Sequence, residues 1–393
     1  MKKILSAILV LVMAFSLAGA VSANGMQGPQ STLQFDESGK FKILFMADVQ
    51  DKYPMKEAAV QFINEVLDAC KPDLVIFGGD NIVTDDILAY EQLLAPLVER
   101  GVDFTMVFGN HDDESTHLNP EQILVEYQKR PGCLAYDPEP SLHGCATHNL
   151  EIKSSDGSKT AFNLWMFDSG DYATYENGES GYDCVRADQI QWYKNQSAAL
   201  QAANGGELVP SLAFQHIIVQ EVYQAAYFKT PKLGKLTKNF CDGTSYGVVP
   251  NLFKIDGIIQ EGPCPSLDNE GQWDAFVERG DVLGCVFGHD HVNSFVVDFK
   301  GVDIIQCPGV SYNSYGNTNV RGATLFTIDE SKPFEYEKEL ITAASLAVKD
   351  GSALPGLDGY SKWDYIFANI GRKMIVIIMK MMKLCSALVK AVF

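Results

Sequence analysis

Polar residues of metal-ligating types stand at the ends of five apolar runs of the sequence. They are Asp48 with Gln50, Asp80, Asn110 with His111 and Asp112, His216, and His289 with His291. Asp and His side chains combined with an Asn carbonyl form the mixed oxygen and nitrogen set that binds Zn, Fe, Mn and similar dications. A single His-x-His motif is weak evidence for a metal site, and the weight comes from the five run ends taken together.

The apolar runs have the composition of β-strands and alternate at first with helical periodicity. The runs cover 41–48, 73–80, 103–110, 162–171, 211–216 and 282–291, and three shorter ones follow before residue 330. Apolar spacing predicts helices over 55–70, 86–100, 120–130, 187–200 and 271–279. Helices between the early strands predict parallel pairing, and the short late connections predict antiparallel strands. Because ligands gather outside the carboxyl ends of strands in α/β sheets, the polar residues are expected to converge on one pocket.

Taken singly, several of these residues have an ordinary structural explanation. Asp and Asn at strand ends are commonly turn or cap residues, and His216 after a buried strand could be a hydrogen-bonded core histidine. Glycines directly precede Asp80, Asn110 and His289, which would let the backbone pass close to an ion or a phosphate. The remaining histidines match no motif and are expected at the surface or in loops: His117, His143 and His148.

The ordered motifs resemble those of the calcineurin-like metallophosphoesterases, from residue 41 to about residue 325. That family carries D-x-H/Q, GD, GNH[DE], a lone His and GHxH in this order. Finer features are most similar to its purple-acid-phosphatase-29/Dcr2-like branch, and they are PDLVIFGGDNI, GNHDDES, FDSGDY, QEG, FGHDHVN and GVSYNSYG. The resemblance implies an α/β fold, a four-layer α/β/β/α sandwich of two mixed sheets flanked by helices, with a dinuclear metal centre.

The resemblance also implies roles for individual residues. Asp80 would bridge two metal ions, Asp48 and His291 would hold the first, and Asn110, His216 and His289 would hold the second. The ions would be divalent or trivalent: Mn, Fe, Zn or Mg. His111 would stabilise or protonate the departing oxygen, Asp112 is placed to orient His111, and a hydroxide from metal-bound water would attack the phosphorus in line.

Gln50 departs from the commoner family pattern Asp-x-His. A Gln carbonyl is a neutral and weaker ligand than imidazole, so the first site would be looser or would favour a harder cation such as Mn or Mg. Gln50 is either a ligand or a bystander, and the adjacent Asp51 is the alternative ligand.

Two further motifs have no assigned role in the metal set. SYNSYG, with Tyr312 and Tyr315, either lines the substrate mouth or is structural. FDSGDY, with Asp168 and Asp171, is interpreted as support for the pocket wall.

Composition and the chain ends suggest an exported protein. Residues 1–23 combine a basic start, an apolar stretch and small residues, which predicts a signal peptide, with a retained membrane anchor as the alternative. The expected order is a linker over 24–39, one metallophosphoesterase domain over 40–330, a C-terminal extension over 331–371 and a basic amphipathic helix over 372–393.

Nine cysteines make disulfides plausible. Cys133 with Cys145 and Cys241 with Cys264 are the nearest pairs in loop-like sequence, and Cys285 and Cys307 are expected as buried thiols.

Charge and tail composition narrow the partners. The formal net charge of −19 argues against a nucleic-acid partner bound through a broad basic surface. Lysines along one stripe of an otherwise apolar tail predict contact with an anionic membrane surface, with docking on the acidic body or self-association as the alternative. The sequence thus predicts a secreted or cell-surface phosphoesterase acting on a phosphomonoester or phosphodiester, carried by a small phosphorylated molecule or a phosphoprotein. The alternative is a catalytically weak or inactive binding protein on the same fold.

Overall fold

The computed structural model describes residues 32–350, and the side chains of 348–350 are not described. The predicted signal peptide, the predicted tail helix and parts of the linker and the extension therefore lie outside the described residues. Among the helices that the structure does describe, none is long and apolar enough to cross a lipid bilayer.

The elements are numbered here within residues 32–350. The strands are β1 (Leu33–Gln34), β2 (Lys40–Met46), β3 (Leu74–Gly78), β4 (Asp103–Val107), β5 (His148–Lys153), β6 (Thr160–Met166), β7 (Tyr172–Thr174), β8 (Ser180–Tyr182), β9 (Ser211–Gln215), β10 (Tyr227–Lys229), β11 (Thr237–Asn239), β12 (Ser245–Pro250), β13 (Asp256–Ile258), β14 (Val282–Phe287), β15 (Ser294–Phe299), β16 (Val302–Gln306), β17 (Gly322–Asp329) and β18 (Tyr336–Thr342). The helices are α1 (Glu57–Cys70), α2 (Leu88–Arg100), α3 (Pro120–Gln128), α4 (Ala187–Ala203), α5 (Glu221–Ala226), α6 (Gln272–Arg279) and α7 (Ala343–Asp350), and a 3-10 turn covers Gly234–Leu236.

Two mixed sheets form the centre of this part of the chain. One has the order β18-β17-β2-β3-β4, with β2, β3 and β4 parallel and β17 antiparallel to β2. The other has the order β1-β5-β6-β9-β14-β16-β15-β13, with β6, β9, β14 and β16 parallel. The predicted parallel pairing of the early strands and the antiparallel pairing of late ones such as β15 and β16 are both confirmed.

The sheets pack face to face, and helices cover their outer faces. Phe45 and Phe214 stack between the sheets with ring centroids 5.9 Å apart. On the outer face of the smaller sheet, helices α1, α2 and α3 join one buried cluster, and α4 and α6 join another on the larger sheet. Both faces of β3 and of residues 43–46 of β2 are buried, which explains why these segments are continuously apolar rather than alternating. The predicted four-layer α/β/β/α sandwich is confirmed.

Segments on both sides of the predicted 40–330 domain contribute strands to these sheets. Leu33 of β1, within the predicted linker, pairs with Ile152 of β5. Strand β18, within the predicted extension, runs antiparallel to β17 from Tyr336 to Thr342. The sheets therefore extend beyond the boundaries that the apolar pattern suggested.

The suggested disulfide partners are all free thiols: Cys133, Cys145, Cys241 and Cys264. Cys145 is buried in the apolar cluster that also contains residues of α3, whereas Cys241 is exposed. Because neither suggested pair forms a disulfide, nearness in sequence does not predict the pairing of these loop cysteines. Cys285 and Cys307 are buried, as predicted for thiols within apolar strands.

His148 is a core residue, not the loop or surface residue that its sequence context suggested. It begins β5, is fully buried, and its two ring nitrogens lie 2.6 Å from the Ala146 carbonyl and 2.8 Å from the Thr105 hydroxyl. Burial lowers its pKa from 6.5 to about 4, although the bond to the Ala146 carbonyl opposes this shift. The folded protein therefore holds His148 neutral at pH values where the unfolded chain is already protonated.

We predict that His148 makes folding stability depend on pH between about 6.5 and about 4. Because the unfolded state takes up the proton first as pH falls, this group removes on the order of 3 kcal/mol from the free energy of unfolding across that window. Urea denaturation at a series of pH values, with a chelator present, measures the effect. His148→Gln should show a flatter pH dependence than wild type, and His117→Gln, at an exposed histidine, should keep the wild-type slope. Parallel slopes for all three proteins would contradict this assignment.

Candidate metal centre

The predicted ligands follow the carboxyl ends of strands from both sheets. Asp48, Asp80 and Asn110 follow β2, β3 and β4 of the smaller sheet. His216 follows β9 of the larger sheet, and His289 and His291 follow β14. These ends face one another, because His216 Nε2 lies 3.2 Å from Asp80 Oδ2 and 3.8 Å from Asp48 Oδ1.

The ligand atoms lie close enough to share ions. Single donor atoms of Asp80, His216 and His289 all lie within 4.8 Å of one another. On the other side of the group, His291 Nε2 lies 3.4 Å from Asp48 Oδ1. Asn110 belongs to a loop that contacts this group. The backbone N–H of the next residue, His111, donates to Asp80 Oδ1 at 2.8 Å. The structure thus brings together five of the predicted ligand side chains, those of Asp48, Asp80, His216, His289 and His291, and places the loop of Asn110 beside them.

The backbone turns sharply where it delivers these side chains. Asp48, Gln50, Asp80 and His289 all adopt the left-handed region, with φ values of 55°, 43°, 54° and 72°. This conformation is costly for residues with a Cβ and persists only where the surroundings enforce it. The enforcing contacts include Asp48 N–H to Gly79 O at 2.9 Å and Gln50 N–H to Asp80 O at 2.8 Å. Strain is therefore concentrated at the ligands, as is common for functional sites.

Two glycines are required by close packing against the ligands. A Cβ on Gly109 would lie 2.3 Å from Asp80 Oδ1, and one on Gly79 would lie 2.6 Å from His216 Nδ1. Any side chain at these positions would displace a ligand. The glycines before Asp80 and Asn110 are thus explained by the ligands themselves.

Backbone carbonyls orient two of the imidazoles. His216 Nδ1 donates to Gly78 O at 2.7 Å, and His291 Nδ1 donates to Tyr315 O at 2.9 Å. Since a carbonyl only accepts, the proton is on Nδ1, and Nε2 of each ring points to the carboxylates. This is the arrangement that metal-binding histidines usually have.

The residues present fit metal ions. In the described part of the chain, Asn110 Oδ1 is buried without a hydrogen-bond partner, and His216 Nε2 makes no aligned hydrogen bond although it lies 3.2 Å from Asp80 Oδ2. Unpartnered buried polar atoms are costly, and both belong to groups that ligate metals. Together with the buried carboxylates of Asp48 and Asp80, they form a donor set suited to Zn, Fe or Mn.

Electrostatic coupling within the group shifts its pKa values in opposite directions. Burial opposes charge on His216, but Asp80 and Asp48 outweigh it and raise the His216 pKa to about 10. Burial also opposes charge on His291, and Asp48 raises that pKa to about 9. Burial and the neighbouring His216 lower the His289 pKa to about 3. Protons on His216 and His291 thus balance the carboxylates, a role that bound cations take over as they release those protons.

Gln50 lies in the centre but turns its amide toward another ligand. Its Nε2 donates to Asp80 Oδ2 at 3.1 Å, so the amide oxygen is not the atom presented to the carboxylates. A half-turn of the amide would exchange the two atoms. Ligation by Gln50 stays a prediction.

The carboxylate beside His111 is Glu114, and the structure places Asp112 elsewhere. Asp112 is buried and accepts backbone N–H groups of Gly109, Asp80 and Asn81 at 2.8–2.9 Å, so it holds two ligand loops together. Glu114 contacts His111 Nδ1 through one oxygen and accepts from the Tyr172 hydroxyl at 2.8 Å through the other. The orienting role expected of Asp112 therefore belongs by position to Glu114.

Three residues of the site were missed by reasoning from sequence. Glu114 lies within GNHDDES, three residues after His111, and Tyr172 ends the FDSGDY motif. Glu261, within QEG, accepts from the Tyr315 hydroxyl at 3.2 Å. All three lie in motifs that carried the family resemblance, which was the available signal. Asp168, interpreted as pocket-wall support, accepts backbone N–H groups of Cys145 and Gly170.

Comparison with known proteins identifies a matching family and several similar chains. The family model described as "calcineurin-like phosphoesterase" matches residues 41–293. The chain is 29% identical to "probable inactive purple acid phosphatase 29" of Arabidopsis thaliana, over 76% of this chain and 79% of the relative. It is 29% identical to "phosphatase DCR2" of Saccharomyces cerevisiae, over 67% of this chain and 46% of the relative. The crystal structure of a dimetal phosphatase from Danio rerio superposes with a TM-score of 0.46 at 14% identity, covering 76% of this chain and 98% of that chain.

We predict that Asp80→Asn weakens metal binding by about 100-fold or more, because it removes the central carboxylate charge. Titration of metal-free protein with Zn²⁺ or Mn²⁺, followed by calorimetry, measures the affinity. The matched control is Asp274→Asn, at an exposed residue of α6, which should bind as wild type does. Equal affinities for the two variants would show that Asp80 is not a ligand.

We also predict that Gln50→His tightens Zn²⁺ binding by about tenfold, since imidazole replaces a neutral amide at the same position. The same titration applies, with Gln191→His on the exposed face of α4 as the control. An unchanged affinity would place the side chain of residue 50 outside ligand reach.

Proposed function

The chain belongs to the calcineurin-like phosphoesterase family, and we propose that it is a metal-dependent hydrolase of a phosphomonoester or phosphodiester, working at a dinuclear centre. One observation carries the proposal. Two buried ligand atoms that make no aligned hydrogen bond, His216 Nε2 and Asn110 Oδ1, lie at the strand ends that also present the carboxylates of Asp48 and Asp80.

The proposed ligands fall into two sub-groups, one for each of two ions. The contact between Asp48 and His291 supports one position, and the group of Asp80 and His216 with His289 supports the other. Asn110 completes the second position, and Asp80 has a second oxygen to share with the first. Bound there, the ions would neutralise phosphoryl charge and lower the pKa of a coordinated water.

His111 is proposed as the proton donor to the leaving oxygen. Its side chain is 37% exposed at the edge of the centre, so an ester oxygen can approach it. The carboxylate of Glu114 holds Nδ1, which leaves Nε2 to face the substrate.

A binding protein without turnover is the second candidate. The Arabidopsis relative is named probable inactive, and the Gln50 amide here donates to Asp80 where most members have another imidazole. Against this, His111 keeps both its exposure and its carboxylate partner. A protein that only binds phosphate has no need of a positioned acid.

Export is part of the proposal and rests on residues 1–23, which lie outside the described residues. A phosphorylated small molecule or a phosphoprotein at the cell surface would then be the substrate. Contact with a membrane surface through 372–393 rests on the sequence alone.

We predict that purified protein loaded with Mn, Zn or Fe hydrolyses p-nitrophenyl phosphate or bis-p-nitrophenyl phosphate, and that a chelator abolishes this turnover. Release of p-nitrophenol measures the rate. Which ester is hydrolysed distinguishes monoesterase from diesterase activity. Absence of turnover with every metal, while metal still binds, would favour the binding protein.

We further predict that His111→Ala keeps metal affinity within about twofold of wild type but lowers kcat by about 10²- to 10⁴-fold on an alkyl phosphate. The loss should be smaller on p-nitrophenyl phosphate, whose leaving group departs without a proton. Equal losses on both esters would refute the assignment of His111 as the acid.

A further inference from the structure

Aromatic rings and carboxylates flank the metal centre where a substrate would enter. We call the group Glu114, Tyr172, Tyr182, Glu261 and Tyr315 the mouth. Two of its three rings, those of Tyr182 and Tyr315, contact the ligand histidines His289 and His291 directly.

Tyr315 forms one wall of the mouth. Its ring stacks on His291 with centroids 4.1 Å apart and planes 4° apart, and the residue is 54% exposed. One face of the ring is therefore used by the ligand imidazole, while the other is available to a substrate. Its hydroxyl donates to both oxygens of Glu261, at 3.2 and 3.3 Å.

Tyr172 and Tyr182 form a second wall, built in the same way. The edge contact of Tyr182 with His289 has centroids 4.3 Å apart, and Tyr172 stacks on Tyr182 at 5.6 Å. Tyr172 is 50% exposed and its hydroxyl donates to Glu114 at 2.8 Å. Each wall thus presents an exposed aromatic ring with a carboxylate at its hydroxyl.

The charge around these rings is negative. In residues 32–350, no Lys or Arg side chain forms an ion pair with Glu114 or Glu261. A substrate with additional phosphates would be repelled here, and a cation would be attracted.

We infer that the mouth selects phosphoesters whose alcohol carries an amine or a quaternary ammonium group. Aromatic faces next to carboxylates are the surroundings that bind such cations, through attraction to the ring and to the nearby charge. The inference deepens the proposed function and rests on it. In the reaction, the P–O bond to the amino alcohol breaks, the oxygen of water bonds to phosphorus, and a proton passes to the departing alcohol.

A pair of isosteric esters tests the inference. Choline phosphate and 3,3-dimethylbutyl phosphate have the same shape, but the quaternary nitrogen of the first is a neutral carbon in the second. We expect kcat/KM to be about tenfold higher for choline phosphate in the metal-loaded enzyme, and the ratio to fall as ionic strength rises. Glycerophosphocholine, with its neutral dimethylbutyl analogue, repeats the comparison for a diester. A preference in either pair supports the inference and identifies the ester class.

Variants of the mouth test whether its residues cause the preference for the cationic ester. Glu261→Gln and Tyr315→Leu should each lower the choline-to-neutral ratio toward one, and Tyr315→Phe should keep most of it because the ring remains. Glu278→Gln, a matched change on exposed α6, should keep the wild-type ratio. Because the readout is a ratio within each variant, a partial loss of folded enzyme cancels.

The possible outcomes separate the two levels of the proposal. A ratio of one or less in wild type, with p-nitrophenyl phosphate still hydrolysed, overturns the inference and leaves the proposed function standing. A wild-type preference that survives both Glu261→Gln and Tyr315→Leu also overturns it. Absence of hydrolysis of every ester with every metal overturns the proposed function, and the inference with it.

Discussion

The buried group of carboxylates and imidazoles is the constraint on which the rest of the structure depends. Asp48 and Asp80 are almost fully buried, and no Lys or Arg in the described residues pairs with them. Unpaired charges in a protein interior are strongly unfavourable, so positive charge must be supplied by protons on His216 and His291 or by cations. The left-handed turns at Asp48 and Asp80 add a further conformational cost.

The two-sheet architecture follows from this requirement. One sheet supplies Asp48, Asp80 and Asn110, which carry oxygen ligands, and the other supplies the imidazoles. Neither sheet alone holds a complete donor set. The packing of Phe45 on Phe214 aligns the parallel strands so that their carboxyl ends meet. An isolated bridge between Ala47 and Gly309 then joins the ends of the two sheets directly beside Asp48.

The parts of the fold that sequence predicted are those set by local pattern. Apolar spacing predicted helices α1 and α2 and strands such as β2 and β14, because helices and strands each bury side chains at a regular interval along the chain. The ligands were predictable because they directly follow such strands. His148 was misassigned because its burial depends on Thr105, far away in sequence. Glu114 was missed because a turn, and not regular spacing, decides which of three successive acids faces His111. The short strands β10, β11 and β12 carry no regular apolar pattern, and the sequence did not predict them.

A single chain of contacts connects the proposed ligand Asn110 with the proposed acid His111. Asn110 Nδ2 donates to the Tyr172 hydroxyl at 3.0 Å, which turns Asn110 Oδ1 toward the other ligands. The Tyr172 hydroxyl donates in turn to Glu114, and Glu114 holds His111. A movement of Tyr172 would therefore misdirect a ligand oxygen and the proposed acid together. Because the same tyrosine lines the mouth, a substrate that stacked on its ring would also stabilise the orientation of both proposed groups.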